Sequence, residues 1–175
     1  MERIINMPNE NNKLYLYEAL EMRGEYAGKM TTLRGLLPEN VIRYNEDITP
    51  VIGLDVKEIR QKISAIEFKQ IKLNNAIQKA NFELSIEANG EKMTILEALA
   101  LRKSLSDKVG RLSGMVKSSG YKKIQHMEER DIIKEPDLDF LPTLSEYEEE
   151  VVKFRNLNRA IRQASLTAVI DFRDE

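Results

Sequence analysis

The sequence predicts an all-α fold: two tandem helical hairpins related by internal duplication, four long helices in all, with short strands allowed in the two connections. Three observations carry that prediction. The first is a repeat. Leu16-Tyr-Glu-Ala-Leu-Glu-Met-Arg23 returns 79 residues later as Ile95-Leu-Glu-Ala-Leu-Ala-Leu-Arg102, and Leu73-Asn-Asn-Ala-Ile-Gln-Lys-Ala80 returns 84 residues later as Leu157-Asn-Arg-Ala-Ile-Arg-Gln-Ala164. Two segments recurring in one order at nearly one spacing mark a tandem duplication. The second observation is apolar spacing of three and four, the helical period. The third is a set of helix-start signals, each followed by such a run.

Taken in order, residues 1–13 are polar and read as a flexible arm. From Leu14 to about Leu37 the apolar residues fall at 16, 20, 27, 30, 33 and 37, with Tyr26 alongside, and Pro38 ends the helix. Residues 38–54 form a connection in which Val41–Tyr44 is a candidate strand. A second helix opens at Asp55 with Glu58 three residues on, and its seam is Ile59, Ile63, Ile66, Leu73, Ile77, Ala80 and Leu84. Asn89-Gly90 is a turn dipeptide that closes the first copy. Thr94-Ile-Leu-Glu97 is a capping box for the third helix, which runs to about Lys117. Residues 121–142 form the second, charge-rich connection. Thr143-Leu-Ser-Glu146 reads as a further capping box, ahead of a seam at Tyr147, Val151, Phe154, Leu157, Ile161, Ala164 and Ala168. The copies are thus about 14–88 and 91–170, within a single helical domain over 14–175. At roughly 36–45 Å per helix, one hairpin cannot cover its own apolar stripe, so two must share a core.

Composition narrows the function classes. Lysine plus arginine number 27 against 29 acidic residues, a balance without the basic excess of a nucleic-acid or anionic-membrane binder. The chain has no cysteine, hence neither a disulfide framework nor thiolate chemistry. No apolar run is long enough for a signal peptide or a membrane span, so a cytoplasmic protein is expected.

The Glu-Ala-Leu-x-x-Arg pattern opens both halves. Ile77-Gln-Lys-Ala-Asn81-Phe82, echoed as Ile161-Arg-Gln-Ala-Ser165-Leu166, closes them, and Gly90-Glu-Lys-Met-Thr94 stands between. Together these resemble the septicolysin-like family of small bacterial helical proteins over about Leu14–Leu166. The chain departs from that family in its longer connections and in Leu166, where the family tends to have tryptophan. The resemblance implies a helical fold and, through the family name, a membrane-active alternative.

The recurring polar residues are the candidate buried or interaction residues: Glu18, Arg23, Glu97, Arg102, Asn74 and Asn158. Arg23 and Arg102 follow the seam leucines Leu20 and Leu99 by three, and they are expected beside the stripe as partly buried partners of Glu97 and Glu18. Glu97 also serves Thr94 as a capping acid. Asn74 and Asn158 adjoin the second seam, where polar residues set register. Gly35 and Gly114, equivalent positions, suggest close helix approach or an early helix end. Glu146 and Glu148–Glu150 read as a charged, solvated helix start. His126, the one histidine, lacks the clustered ligands of a metal site. No catalytic residue, metal or cofactor is expected. The expected function is a non-enzymatic scaffold or interaction module, self-associating through surplus apolar surface. The weaker alternatives are a cytolysin-like protein and a nucleic-acid-associated protein using the basic 121–134 loop.

Overall fold

The structure is a computed structural model and describes residues 13–44, 47–128 and 130–174. It is mostly helical. The elements in chain order are β1 (Leu14–Tyr15), α1 (Leu16–Gly35), α2 (Pro38–Val41), α3 (Val56–Glu83), β2 (Ser85–Ala88), β3 (Glu91–Thr94), α4 (Ile95–Ser119), β4 (Lys123–His126), β5 (Asp131–Lys134), α5 (Phe140–Thr167) and β6 (Val169–Ile170). The strands form three antiparallel pairs: β1 with β6, β2 with β3, and β4 with β5. The all-α expectation was therefore too narrow, because two of these pairs lie at helix ends rather than in the connections. The N-terminal arm falls, but for Lys13, outside the described residues.

The backbone repeats at the two offsets found in the sequence. Leu14 pairs with Ile170 and Tyr15 with Val169; 79 residues on from the first partners and 84 back from the second, Met93 pairs with Ile86 and Thr94 with Ser85. The Leu16 N–H donates to the Ala168 carbonyl at 2.8 Å, and the equivalent Ile95 N–H donates to the Leu84 carbonyl at 3.0 Å. Two compact units result, one of Met1–Asn81 with Ser165–Glu175, the other of Phe82–Ala164. They are out of phase with the sequence copies, since each receives the closing strand of the other copy.

Local chemistry explains the element ends. Asp55 caps α3 by accepting from the N–H of Lys57 at 2.8 Å and of Glu58 at 3.3 Å. Asn89 (φ 54°) and Gly90 (φ 82°) both adopt the left-handed conformation of a two-residue hairpin turn, which makes the dipeptide the tip of β2–β3. The Asn89 amide also donates to the Lys153 carbonyl at 3.2 Å, tying that tip to α5 within its unit. Three expectations are corrected. Val41–Tyr44 is not a strand: Pro38 supplies the first residue of a short helical turn, and the Ile42 N–H closes it on the Pro38 carbonyl. Thr143 is not a helix cap: α5 begins at Phe140, Pro142 sits in its first turn where no N–H is needed, and the Thr143 hydroxyl donates to the Asp139 carbonyl at 2.7 Å. Close approach does not explain Gly35 or Gly114, since a Cβ at either would meet open space.

The core follows the repeat. Leu16 and Ile95, Ala19 and Ala98, Leu73 and Leu157, Ile77 and Ile161, and Ile86 and Ile170 are buried pairwise. In the first unit Leu37, Ile59 and Ile63 form a cluster with Leu33, Leu54 and Val56 against it, so the C-terminal half of α1 lies along the N-terminal half of α3. Leu20 and Ala27, expected on the stripe, are exposed; Ala19 and Tyr26 are buried instead. The strand pair holds Leu16 inward, and the residue three on, Ala19, follows it onto the buried face. Leu73 and Leu157 are each 0% exposed. Leu73→Ala and Leu157→Ala should each cost about 2–5 kcal/mol, measured as a fall in the urea unfolding midpoint, and similar losses in the two are expected from their equivalent positions.

Candidate functional site

The recurring acids are helix caps. The Tyr15 N–H donates to Glu18 Oε2 at 2.8 Å, and the Thr94 N–H donates to Glu97 Oε2 at 2.8 Å. In the second unit the box is complete, with the Glu97 N–H donating to Thr94 Oγ1 at 3.2 Å. In the first, Tyr15 returns no side-chain bond. These hydrogen bonds from Thr94 hold the Glu97 carboxyl below its ordinary range. Both carboxylates are committed to their own helix starts. Arg23 and Arg102 are exposed, and the expectation of partly buried guanidiniums is corrected: Ala19 and Ala98, not Leu20 and Leu99, carry the stripe inward, which turns the arginines outward. Asn74 and Asn158 are half-buried, each directly after a fully buried leucine.

The structure brings together two polar clusters that the sequence did not announce. In the second unit Glu150, only 6% exposed, accepts from Lys153 at 2.8 Å and pairs with Lys108 at 3.2 Å; Lys108 also reaches Glu146 at 3.1 Å. The hydrogen bond from Lys153, ahead of that from Lys108, holds Glu150 ionised below its ordinary range against the opposing effect of burial. Lys108 is raised by Glu146 and then Glu150. Glu150 is thus not the solvated helix start expected of it. In the first unit the Tyr26 hydroxyl donates to Asp174 Oδ1 at 2.6 Å, and Lys69 donates to the same oxygen at 2.9 Å. Burial and then the Asp174 contact raise the Tyr26 phenol, while Tyr26 and then Lys69 lower the Asp174 carboxyl.

The two clusters stand at equivalent places. Lys29 corresponds to Lys108 at the first offset, and Lys69 to Lys153 at the second. Extending the second repeat four residues upstream from Leu73 would have exposed the Lys69/Lys153 pair. Nothing local announces Asp174, which is 105 residues from Lys69. Beside Asp174, α1 and α3 form an open groove of about 570 Å³ whose lining includes Leu33, Ala65 and Ile66 together with Lys29, Lys62 and Lys69.

The β4–β5 ribbon is the other exposed feature. All eight of its residues are exposed, Ile124 faces Ile133 and Lys123 faces Lys134 across it, His126 Nδ1 lies 2.8 Å from Asp131, and just outside the strands Lys122 donates to Glu135 at 2.7 Å. Among the described residues no group of three or more histidines or acids could hold a metal ion, and no helix is long and apolar enough to cross a membrane.

No family model matches the chain, and no curated protein matches it. Among solved structures it is similar to a crystal structure of a functionally unknown conserved protein from Corynebacterium diphtheriae, with a TM-score of 0.70 and 21% identity, covering 91% of this chain and 100% of that one. That likeness shows a shared fold.

Two predictions follow from the placement of the charges. Arg23→Met and Arg102→Met should each change stability by less than about 0.5 kcal/mol, read from urea unfolding. Acidification should act differently. Glu97, Glu150 and Asp174 have lowered values in the folded protein. Their contribution is fully present above the ordinary carboxylate range and is lost as pH falls through the lowered values. The urea midpoint should therefore drop between about pH 6 and about pH 3, and Glu150→Gln should make that drop shallower.

Proposed function

We propose that this chain is a non-enzymatic, cytoplasmic interaction module, built from a duplicated helical hairpin, that self-associates through its β4–β5 ribbon. The observation that carries this reading is the ribbon's complete exposure. A two-stranded ribbon alone is marginal in water and is stabilised when a face or an edge is covered. Here Ile124, Ile132 and Ile133 stand uncovered, with Tyr121 and Met127 exposed at the two ends of β4.

The free edge of β5, Asp131-Ile-Ile-Lys134, has an apolar centre. Laid antiparallel against the same edge of β5 in a second copy, about a two-fold axis, it sets a central isoleucine opposite itself, Ile132 opposite Ile132 or Ile133 opposite Ile133, because residues opposite each other must turn their N–H and C=O to the same edge. Isologous pairing of this kind is the commonest route to a closed dimer, and it would merge two ribbons into a four-stranded sheet.

The mass in solution tests the reading. Light scattering or sedimentation at micromolar concentration should give a mass above the 20.2 kDa of one chain. Ile132→Pro, which removes a strand donor on an exposed element, should return the protein to 20.2 kDa without loss of helix by circular dichroism. A wild-type monomer, or an oligomer that survives Ile132→Pro, sinks the proposal.

A further inference from the structure

The two lysine–carboxylate clusters differ in where the carboxylate comes from. In the second unit it belongs to α5 itself: Glu150, its side chain 8% exposed, is fixed against Lys108 and Lys153. In the first unit the equivalent lysines, Lys29 and Lys69, remain, but the position equivalent to Glu150 is Ile66. The carboxylate is supplied instead by Asp174, from residues 171–174 beyond the last strand, and its side chain is 44% exposed. One carboxylate seat is thus filled by a residue built into a helix, the other by a residue on an irregular segment.

The surroundings of that second seat also differ. Ala65 and Ile66 stand where the second unit has Glu149 and Glu150, so the groove lining there is apolar. Tyr26 replaces Leu105 and adds a hydroxyl that donates to the carboxylate at 2.6 Å. Lys62, on the rim, is already paired with Glu58 at 2.6 Å. The volume of about 570 Å³ is in the range of small-molecule sites, which are mostly apolar with a few placed polar groups. A seat for one carboxylate at the side of an apolar groove fits a monocarboxylate with a hydrocarbon body.

We infer that the groove between α1 and α3 binds an amphiphilic monocarboxylate of the medium-chain fatty-acid type, whose carboxylate displaces Asp174 from Lys69 and Tyr26 while its hydrocarbon body lies on Leu33, Ala65 and Ile66. Asp174 is the resident competitor. The apparent affinity of the full chain is reduced by the fraction of time that Asp174 holds the seat, and removing its charge restores it.

Titration calorimetry of the full chain with octanoate tests this, with 1-octanol and inorganic phosphate as controls. One octanoate per chain should bind, and neither control should match it. Asp174→Asn should tighten octanoate roughly three- to tenfold. Lys69→Gln should weaken it roughly tenfold, as loss of a charge-assisted hydrogen bond does, and Lys29→Gln, at an exposed position, should weaken it less. Lys153→Gln, the equivalent change in the second unit, should leave binding unaltered. Circular dichroism checks that each variant folds. The inference is overturned if octanoate binds neither the wild type nor Asp174→Asn, if 1-octanol or phosphate binds as tightly, or if Lys153→Gln weakens binding as much as Lys69→Gln.

Discussion

Each long helix of this chain is anchored at one end by a strand whose hydrogen-bonded partner comes from the other copy of the repeat. β1 leads into α1 and pairs with β6, which follows α5; β2 follows α3 and pairs with β3, which leads into α4. Neither copy can satisfy its own terminal strand. The β1–β6 pair is only two residues long, far below what stands alone in water, so it persists because the helices on both sides hold it. In return the pair fixes the rotation of α1 through one backbone bond, Leu16 N–H to the Ala168 carbonyl. That rotation buries Ala19, exposes Leu20 and sends Arg23 to the surface. The equivalent bond at Ile95 buries Ala98 and sends Arg102 outward. The placement of the recurring polar residues therefore descends from strand register rather than from the helical stripe.

Periodicity made the long helices legible, and capping chemistry made two of their starts legible. Asp55 and Thr94 cap as their sequences say. Thr143 carries the same pattern and does not cap, because Pro142 is tolerated in the first turn and the helix begins earlier. The strands were harder to read. β1 and β6 have two residues each, too few to show alternation. β2–β3 did leave a signal, with Ile86 and Ala88 buried on alternate positions before Asn89-Gly90, but Ala88, four residues beyond Leu84, also continues the helical seam. Where a short strand follows a helix, the two periods overlap and the turn residues decide.

The polar clusters show a different limit. Paired positions at the two offsets reveal the lysines, since Lys29/Lys108 and Lys69/Lys153 recur, but the acids that meet them do not recur. The equivalent positions share the cations and differ in the source of the anion. The half-exposed Lys69–Asp174 pair contributes little to stability, whereas Glu150 is buried among its lysines. Their recurrence is better explained by what they orient: a helix-borne glutamate in one unit and a segment beyond β6 in the other.

The strand pairing has a topological consequence. Leu14 opposite Ile170 occupies the register of Met93 opposite Ile86, and a two-residue turn closes the latter pair. Traced through its hydrogen bonds, the backbone is a ring that happens to be covalently open at one of two equivalent places. Circular permutation is accordingly built into the fold. A chain opened at Asn89-Gly90, and joined by a tight turn between positions 170 and 14, would run through the copies in reverse order and rebuild all three strand pairs.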